Sequence, residues 1–175
     1  MGRRRTLAVA GRVLRQIARD RRFGIAAIVA PLLLGFFVKT LFDTTSIPGS
    51  QQTRFVVPFG AYIVHFATFI LTAIVLVRER VAETLERMFV NGYRQGEIIA
   101  GYLIGYTALA TVVSVLVLGE LEILFALGFG LAQLSEIFVV IWLLAVISMA
   151  LGILVSSVAR TEGQVIPFIP LVFVA

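Results

Sequence analysis

The residues able to do chemistry fall in two places. The first is a run dense in both charge signs, Arg78-Glu79-Arg80-Val81-Ala82-Glu83-Thr84-Leu85-Glu86-Arg87-Met88-Phe89, set between two long apolar stretches. From Arg78 to Glu97 four arginines balance four glutamates. A loop that only fixes orientation in a membrane needs the basic residues and no glutamate. On a helix Val81, Leu85 and Met88 share one face with Phe89 beside them, and Glu79, Glu83 and Glu86 take the other. Glu83 and Arg87 stand four apart in the favourable order, worth about 0.2–0.5 kcal/mol to such a helix. An apolar stripe on a charged helix suits a soluble partner that grips it. The plainer reading is a solvated helix between spans.

The second place lies inside the apolar stretches themselves. His65 sits near the middle of one, and Glu120 and Glu122 in the distal part of the next. Ionisable groups at membrane depth are expensive and often mark proton or substrate paths. The plainer readings are a helix–helix hydrogen bond for His65 and an outer-interface position for the glutamates. Gly101 and Gly105 form a Gly-x-x-x-Gly pair that permits close helix packing.

These residues need elements to position them, and composition says which. The chain has 175 residues, 59% hydrophobic and 14% charged, where soluble domains carry about 25% charged. Its apolar residues come in unbroken blocks, so an all-α polytopic membrane protein is expected. There is no cysteine, which excludes disulfides and thiolate metal sites. Spans are expected over 23–42, 56–77, 98–127 and 137–157, the first with Pro31 kinking it. The third exceeds one upright crossing, and reads either as a tilted helix or as a span plus a re-entrant piece. Residues 165–175 read as the start of a fifth helix rather than a re-entrant piece.

Before the first span, residues 4–22 have helical periodicity, with Leu7, Ala10, Leu14, Ile17 and Ala18 on one face. Arg12, Arg15, Arg19 and Arg22 fall on the other. This describes a helix lying in the membrane interface, its arginines toward lipid phosphates. Eight of the fifteen Lys and Arg lie in the first 22 residues, so membrane lipid rather than nucleic acid is the expected partner. The segments 1–22, 78–97 and 158–164 hold thirteen of the fifteen basic residues, which predicts a cytoplasmic N-terminus and a cytoplasmic 78–90 helix.

Several motifs together carry a resemblance. Arg78-Glu79-Arg80 followed by Thr84-Leu85-Glu86-Arg87 resembles the charged motif after the second span of type-2 ABC exporter permeases. Arg19-Asp20-Arg21-Arg22 before a span with an early Pro31 and a Phe42-Asp43 ending is similar to their first helix. Gly101-Tyr102-Leu103-Ile104-Gly105-Tyr106 resembles the start of their third, and Leu151-Gly152-Ile153-Leu154-Val155-Ser156-Ser157 the end of their fourth, with Gln164 as their following glutamine. The similarity covers nearly the whole chain. Glu83 stands where that family usually has Gly, and Asn91-Gly92 where Pro is common.

The resemblance implies six spans per subunit, a second permease subunit (identical or different) and separate cytoplasmic ATPase subunits. It implies ATPase coupling through Arg78, Glu79, Arg80, Glu83, Thr84, Leu85, Glu86, Arg87 and Met88. This chain has no Gly-Lys-Ser/Thr phosphate loop, so no cofactor is expected on it, and ATP and Mg belong to the partner. The expected function is the pore-forming subunit of an ATP-driven exporter in a prokaryotic plasma membrane, working by alternating access. A proton-coupled secondary transporter using His65, Glu120 and Glu122 is the competing reading. An intramembrane enzyme is third, since no Ser/His/Asp set, paired aspartates or His-Glu-x-x-His occurs.

Overall fold

A computed structural model describes residues 2–45, 49–81, 84–159 and 161–168. The side chains of 22, 23, 49–53, 85 and 162 lie outside that description. The described residues are helical nearly throughout: α1 (Gly2–Arg19), α2 (Arg21–Thr44), α3 (Gly49–Val81), α4 (Thr84–Val90), α5 (Gln95–Phe125), α6 (Leu131–Val158) and a 3-10 segment, Glu162–Phe168. In lipid every backbone N–H and C=O must be satisfied within the chain, and a helix does this locally. Four of the helices, α2, α3, α5 and α6, are long and apolar enough to cross a membrane.

The spans outrun their apolar cores. α3 has 33 residues, about 50 Å at 1.5 Å per residue, against about 30 Å of hydrocarbon. It starts at Gly49, within what reads as a polar loop, and α6 starts at Leu131, ahead of its apolar run at 137. Backbone hydrogen bonding continues a helix into water, so hydropathy marks the membrane-crossing part and not the helix ends. At its inner end α3 runs to Val81, so Arg78, Glu79 and Arg80 belong to the span helix. Thr84–Val90 form α4, and residues 82 and 83 of the expected 78–90 helix lie outside the described residues. The long third stretch is one continuous helix, α5, of 31 residues. Beyond Phe168 the expected fifth span lies outside the described residues.

α3 is the centre of the bundle. Buried residues make up 67% of its apolar span, against 28% in α2 and α6. It packs on α6, α5 and α2. Gly152 of α6 lets the α3–α6 pair close up, because a Cβ there would stand 2.9 Å from the Phe69 carbonyl oxygen. The outward faces of α2 and α6 carry Leu33, Phe36, Phe37, Leu143, Ile147 and Leu154, all exposed, as a lipid-facing surface requires.

α1 does not lie free at the interface. It packs along α5 with Val9, Ala10 and Val13 buried. Leu7 and Leu14 of the expected apolar face are instead 61% and 42% exposed. α1 has two adjacent apolar faces, and the one carrying β-branched Val9 and Val13 fits the notch at Gly101 and Gly105. A Cβ on Gly101 would come within 2.5 Å of Val9 Cβ, and one on Gly105 within 2.7 Å of Val13 Cγ1. The Gly-x-x-x-Gly pair thus receives α1, not another span.

Candidate functional site

The charged segment forms one corner of the molecule, where α3 ends, α4 follows, α5 begins and α1 crosses. Arg78 and Arg80 are exposed; Glu79 between them is buried, at 5% exposure. Helical geometry explains this, since neighbours on a helix point about 100° apart. The Arg80 guanidinium donates to the Ser157 carbonyl at 2.9 Å, tying the inner end of α3 to that of α6. The Glu79 carboxylate is hydrogen-bonded by the Gln16 side chain and lies in the field of Arg12, both on α1. Its Oε2 has no hydrogen-bond partner among the described residues. Tyr106 of α5, stacked on Tyr102 at 6.2 Å between ring centres, feels the same charge.

α4 sits over this corner. Met88 is turned inward and joins the core with Val9, Ile98 and Tyr102. Val81, the last described residue of α3, is exposed, whereas Met88 is buried. Glu83 and the Leu85 side chain lie outside the described residues, and Thr84 opens α4. Among its described side chains, the exposed ones on α4 are Glu86, Arg87, Phe89 and Val90, the last 88% exposed. Sequence periodicity found the helix but assigned its apolar side to a partner. The packing of Met88 into the core with Val9 and Ile98 leaves no signal in the sequence of α4 itself.

Asn91 and Gly92 make the turn out of α4. Gly92 has φ 77, a conformation that favours glycine, and the Asn91 amide donates to the Arg87 carbonyl at 2.8 Å. Arg5 of α1 clasps this turn. It donates to the Gly92 carbonyl, stands 3.9 Å from Glu97 and lies over the Tyr93 ring at 5.6 Å. Glu97 also accepts from the Arg94 N–H at 3.0 Å, satisfying the start of α5. α1 is thus fastened at one end to the α4–α5 turn and near the other to Glu79. Beneath α4 lies a cavity of about 350 Å³ bordered by Leu76, Arg80, Phe89, Ile98, Tyr102 and Ile153.

Arg12, Arg15 and Arg19 share a shallow depression with Gln16 and Asp20 on the outer side of α1. The Arg22 side chain lies outside the described residues. Arg15 also donates from Nε to the Gly11 carbonyl at 3.0 Å.

The intramembrane groups are dispersed. His65 is buried and its Nδ1 is hydrogen-bonded to Ser148 Oγ on α6. The Ser148 hydroxyl donates to the Leu144 carbonyl at 2.6 Å, so it accepts from the imidazole N–H. Glu122 Oε1 accepts from the backbone N–H of Gly128 at 2.9 Å and of Phe129 at 3.2 Å, bracing the turn after α5. Glu120 turns the other way, against α2 at Gly35. His65, Glu120 and Glu122 thus serve three different junctions.

Among the described residues, an all-helical bundle with four apolar spans and an amphipathic helix clasped to the charged corner defines a polytopic membrane protein. A family model described as "ABC-2 type transporter" matches residues 4–175, and the chain belongs to that family. It is therefore a membrane component of an ABC transporter, a class whose ATPase is a different part of the assembly. Among curated proteins, ABC transporter G family member 20 of Dictyostelium discoideum is 30% identical over 135 residues, covering 74% of this chain. The chain spans 18% of that relative's length. No solved structure matches the chain.

Proposed function

We propose that this chain is the pore-forming permease of an ATP-driven exporter, and that α4 is its contact with the ATPase. The observation that carries this reading is the exposed edge of α4. Val90 faces outward and Phe89 stands half exposed at the edge of the cavity, on a short charged helix whose Met88 is anchored inside. Such a helix can be gripped on one side and can transmit force on the other. The cavity beneath it leaves room for a shift. Arg78, Glu79, Arg80, Thr84, Glu86 and Arg87 complete the coupling set, together with Glu83 and Leu85, with Met88 as anchor. α1 moves with α4 in this scheme, through Arg5 on the turn and Glu79 on α3. ATP and Mg bind on the ATPase, and closure of its nucleotide sites drives alternating access. A second permease subunit completes the pore, and Arg12, Arg15, Arg19 and Arg22 rest on anionic lipid of a prokaryotic plasma membrane with the N-terminus cytoplasmic.

Residues 1–175 contain no cysteine, so one placed at Val90 is the single thiol of this segment, and cysteines elsewhere in the assembly are replaced before labelling. In the full-length transporter purified in mild detergent, a photo-crosslinker on Val90→Cys should capture a polypeptide that also labels with azido-ATP. The same site should be shielded from a hydrophilic thiol reagent while the complex hydrolyses ATP. Free reaction at this position in an assembled, hydrolysing complex would remove α4 as the contact.

A further inference from the structure

Glu120 has no evident part in coupling. Its carboxylate lies between α5 and α2, in a notch that exists because residue 35 is glycine. A Cβ at Gly35 would stand 2.5 Å from Glu120 Oε2 and 3.1 Å from Oε1. Gly35 falls in the middle third of α2, so the carboxylate lies beside a membrane-crossing segment. Oε2 is shut away from solvent and has no hydrogen-bond partner among the described residues. The next cation along α2, Lys39, is engaged elsewhere: it pairs with Asp43 at the following turn and lies over the Phe125 ring at 5.4 Å. An anionic oxygen without a counter-charge in apolar surroundings is costly, and the carboxyl relieves that cost by holding a proton or by meeting a cation. Helix packing alone would be served as well by glutamine or leucine.

The surroundings of the carboxylate are open to one side. Leu32, Val115, Leu116, Ile123 and Leu124, with Gly119, line a depression of about 400 Å³ around Glu120. Val115 and Ile123 are exposed on the lipid-facing side of α5, Ile123 at 80%. Gly119 has open space where a side chain would stand. The result is a greasy trough with one acidic group at its floor. An acyl chain alone would fit the trough and leave the carboxylate uncompensated. A neutral headgroup would supply one hydrogen bond. A long-chain primary amine supplies both the apolar tail and a cation with three donors.

We propose that the Gly35–Glu120 trough is a binding site for a lipophilic amine that enters from the bilayer between α2 and α5. The α5 face supplies the tail contacts and Glu120, through Oε1, the ion pair. Binding at this site does not require ATP or an ATPase, so the test below can fail while the exporter reading stands, and the reverse.

The full-length protein in phosphatidylcholine nanodiscs, with a bimane dye on Ile123→Cys, gives the readout. The probes are a nitroxide-bearing C18 primary amine and the matching C18 alcohol, whose tails are identical. Quenching by the amine should saturate at a concentration about tenfold or more below that of the alcohol, the size of a charged over a neutral hydrogen bond. Glu120→Gln keeps the shape and removes the charge, and should abolish the difference while leaving the alcohol curve in place. That unchanged alcohol curve also reports that the variant is folded. Gly35→Ala should displace the carboxylate and weaken amine quenching. Equal quenching by the two probes in the unsubstituted protein, or an amine preference that survives Glu120→Gln, identifies the trough as an ordinary lipid contact and overturns the proposal.

Discussion

Replacing Gly101 with alanine tests whether α1 is held on α5 as described. The added methyl would stand 2.5 Å from Val9 Cβ, 2.6 Å from Val9 Cγ1 and 2.9 Å from the Thr6 carbonyl oxygen. Two of these three atoms are fixed to the α1 backbone, so no rotamer change relieves the contact, and α1 must move. Overpacking of this kind costs about 1–3 kcal/mol. Alanine also favours helix over glycine by about 1 kcal/mol, but α5 is helical whether α1 is docked or not, so that gain cancels from the docking equilibrium. A shift of about 2 kcal/mol raises the undocked population about 30-fold, at 1.4 kcal/mol per factor of ten. Ala10 is buried in the α1–α5 contact, and Ala10→Cys makes a small reporter there. Where opening is fast relative to labelling, the reaction rate follows the undocked population. Gly101→Ala should therefore speed labelling of Ala10→Cys by about 10- to 100-fold. Gly119→Ala, where a Cβ would meet nothing within 4 Å, should leave it unchanged. Equal rates in the two backgrounds would show that the glycine notch does not hold α1.

Two further outcomes follow from other contacts. Ser148→Ala removes the α6 acceptor of the His65 imidazole and should lower stability by about 1 kcal/mol, read as a drop in Tm in detergent; an unchanged Tm would mean the pair does not join α3 to α6. The Arg asymmetry places the α5–α6 turn outside, so Leu131→Cys should react with an impermeant thiol reagent in intact cells and Gln95→Cys only after permeabilisation, and the opposite pattern would invert the orientation.

The spans were legible in sequence because their signal is one of length and transfer energy. About twenty apolar residues in a row identify a crossing whatever surrounds it. The helix ends were not legible on the same basis: Gly49 to Gln52 and Leu131 to Glu136 are helical, yet hydropathy falls there because the helix has left the hydrocarbon and not because it has stopped. Which apolar face packs inward was harder still. In water an apolar stripe must be buried, so periodicity names the core. In lipid, Leu33 and Phe36 of α2 face acyl chains as comfortably as Val64 and Phe69 of α3 face protein, and hydrophobicity cannot tell them apart.

Small residues and polar groups carry the discriminating information instead. Gly101, Gly105, Gly152 and Gly35 each mark a close approach, but a glycine names only its own side of the contact. Its partner is set by three-dimensional shape: Val9 and Val13 for one pair, the α3 backbone at Phe69 for another, the Glu120 carboxylate for the last. The amphipathic N-terminal segment shows the consequence most plainly. Its arginines predict a helix at the membrane surface, and Leu7 with Leu14 predict the face that meets lipid. The face that meets α5 lies next to it, carried by Val9, Ala10 and Val13, and only the glycines one helix away explain the choice. Met88 turns inward for the same reason: it packs beside Val9, so the burial of a residue on α4 depends on the docking of α1. A corner built this way links α1, α4 and α5 through one shared core. A substitution at Gly101 should therefore also be felt at Met88.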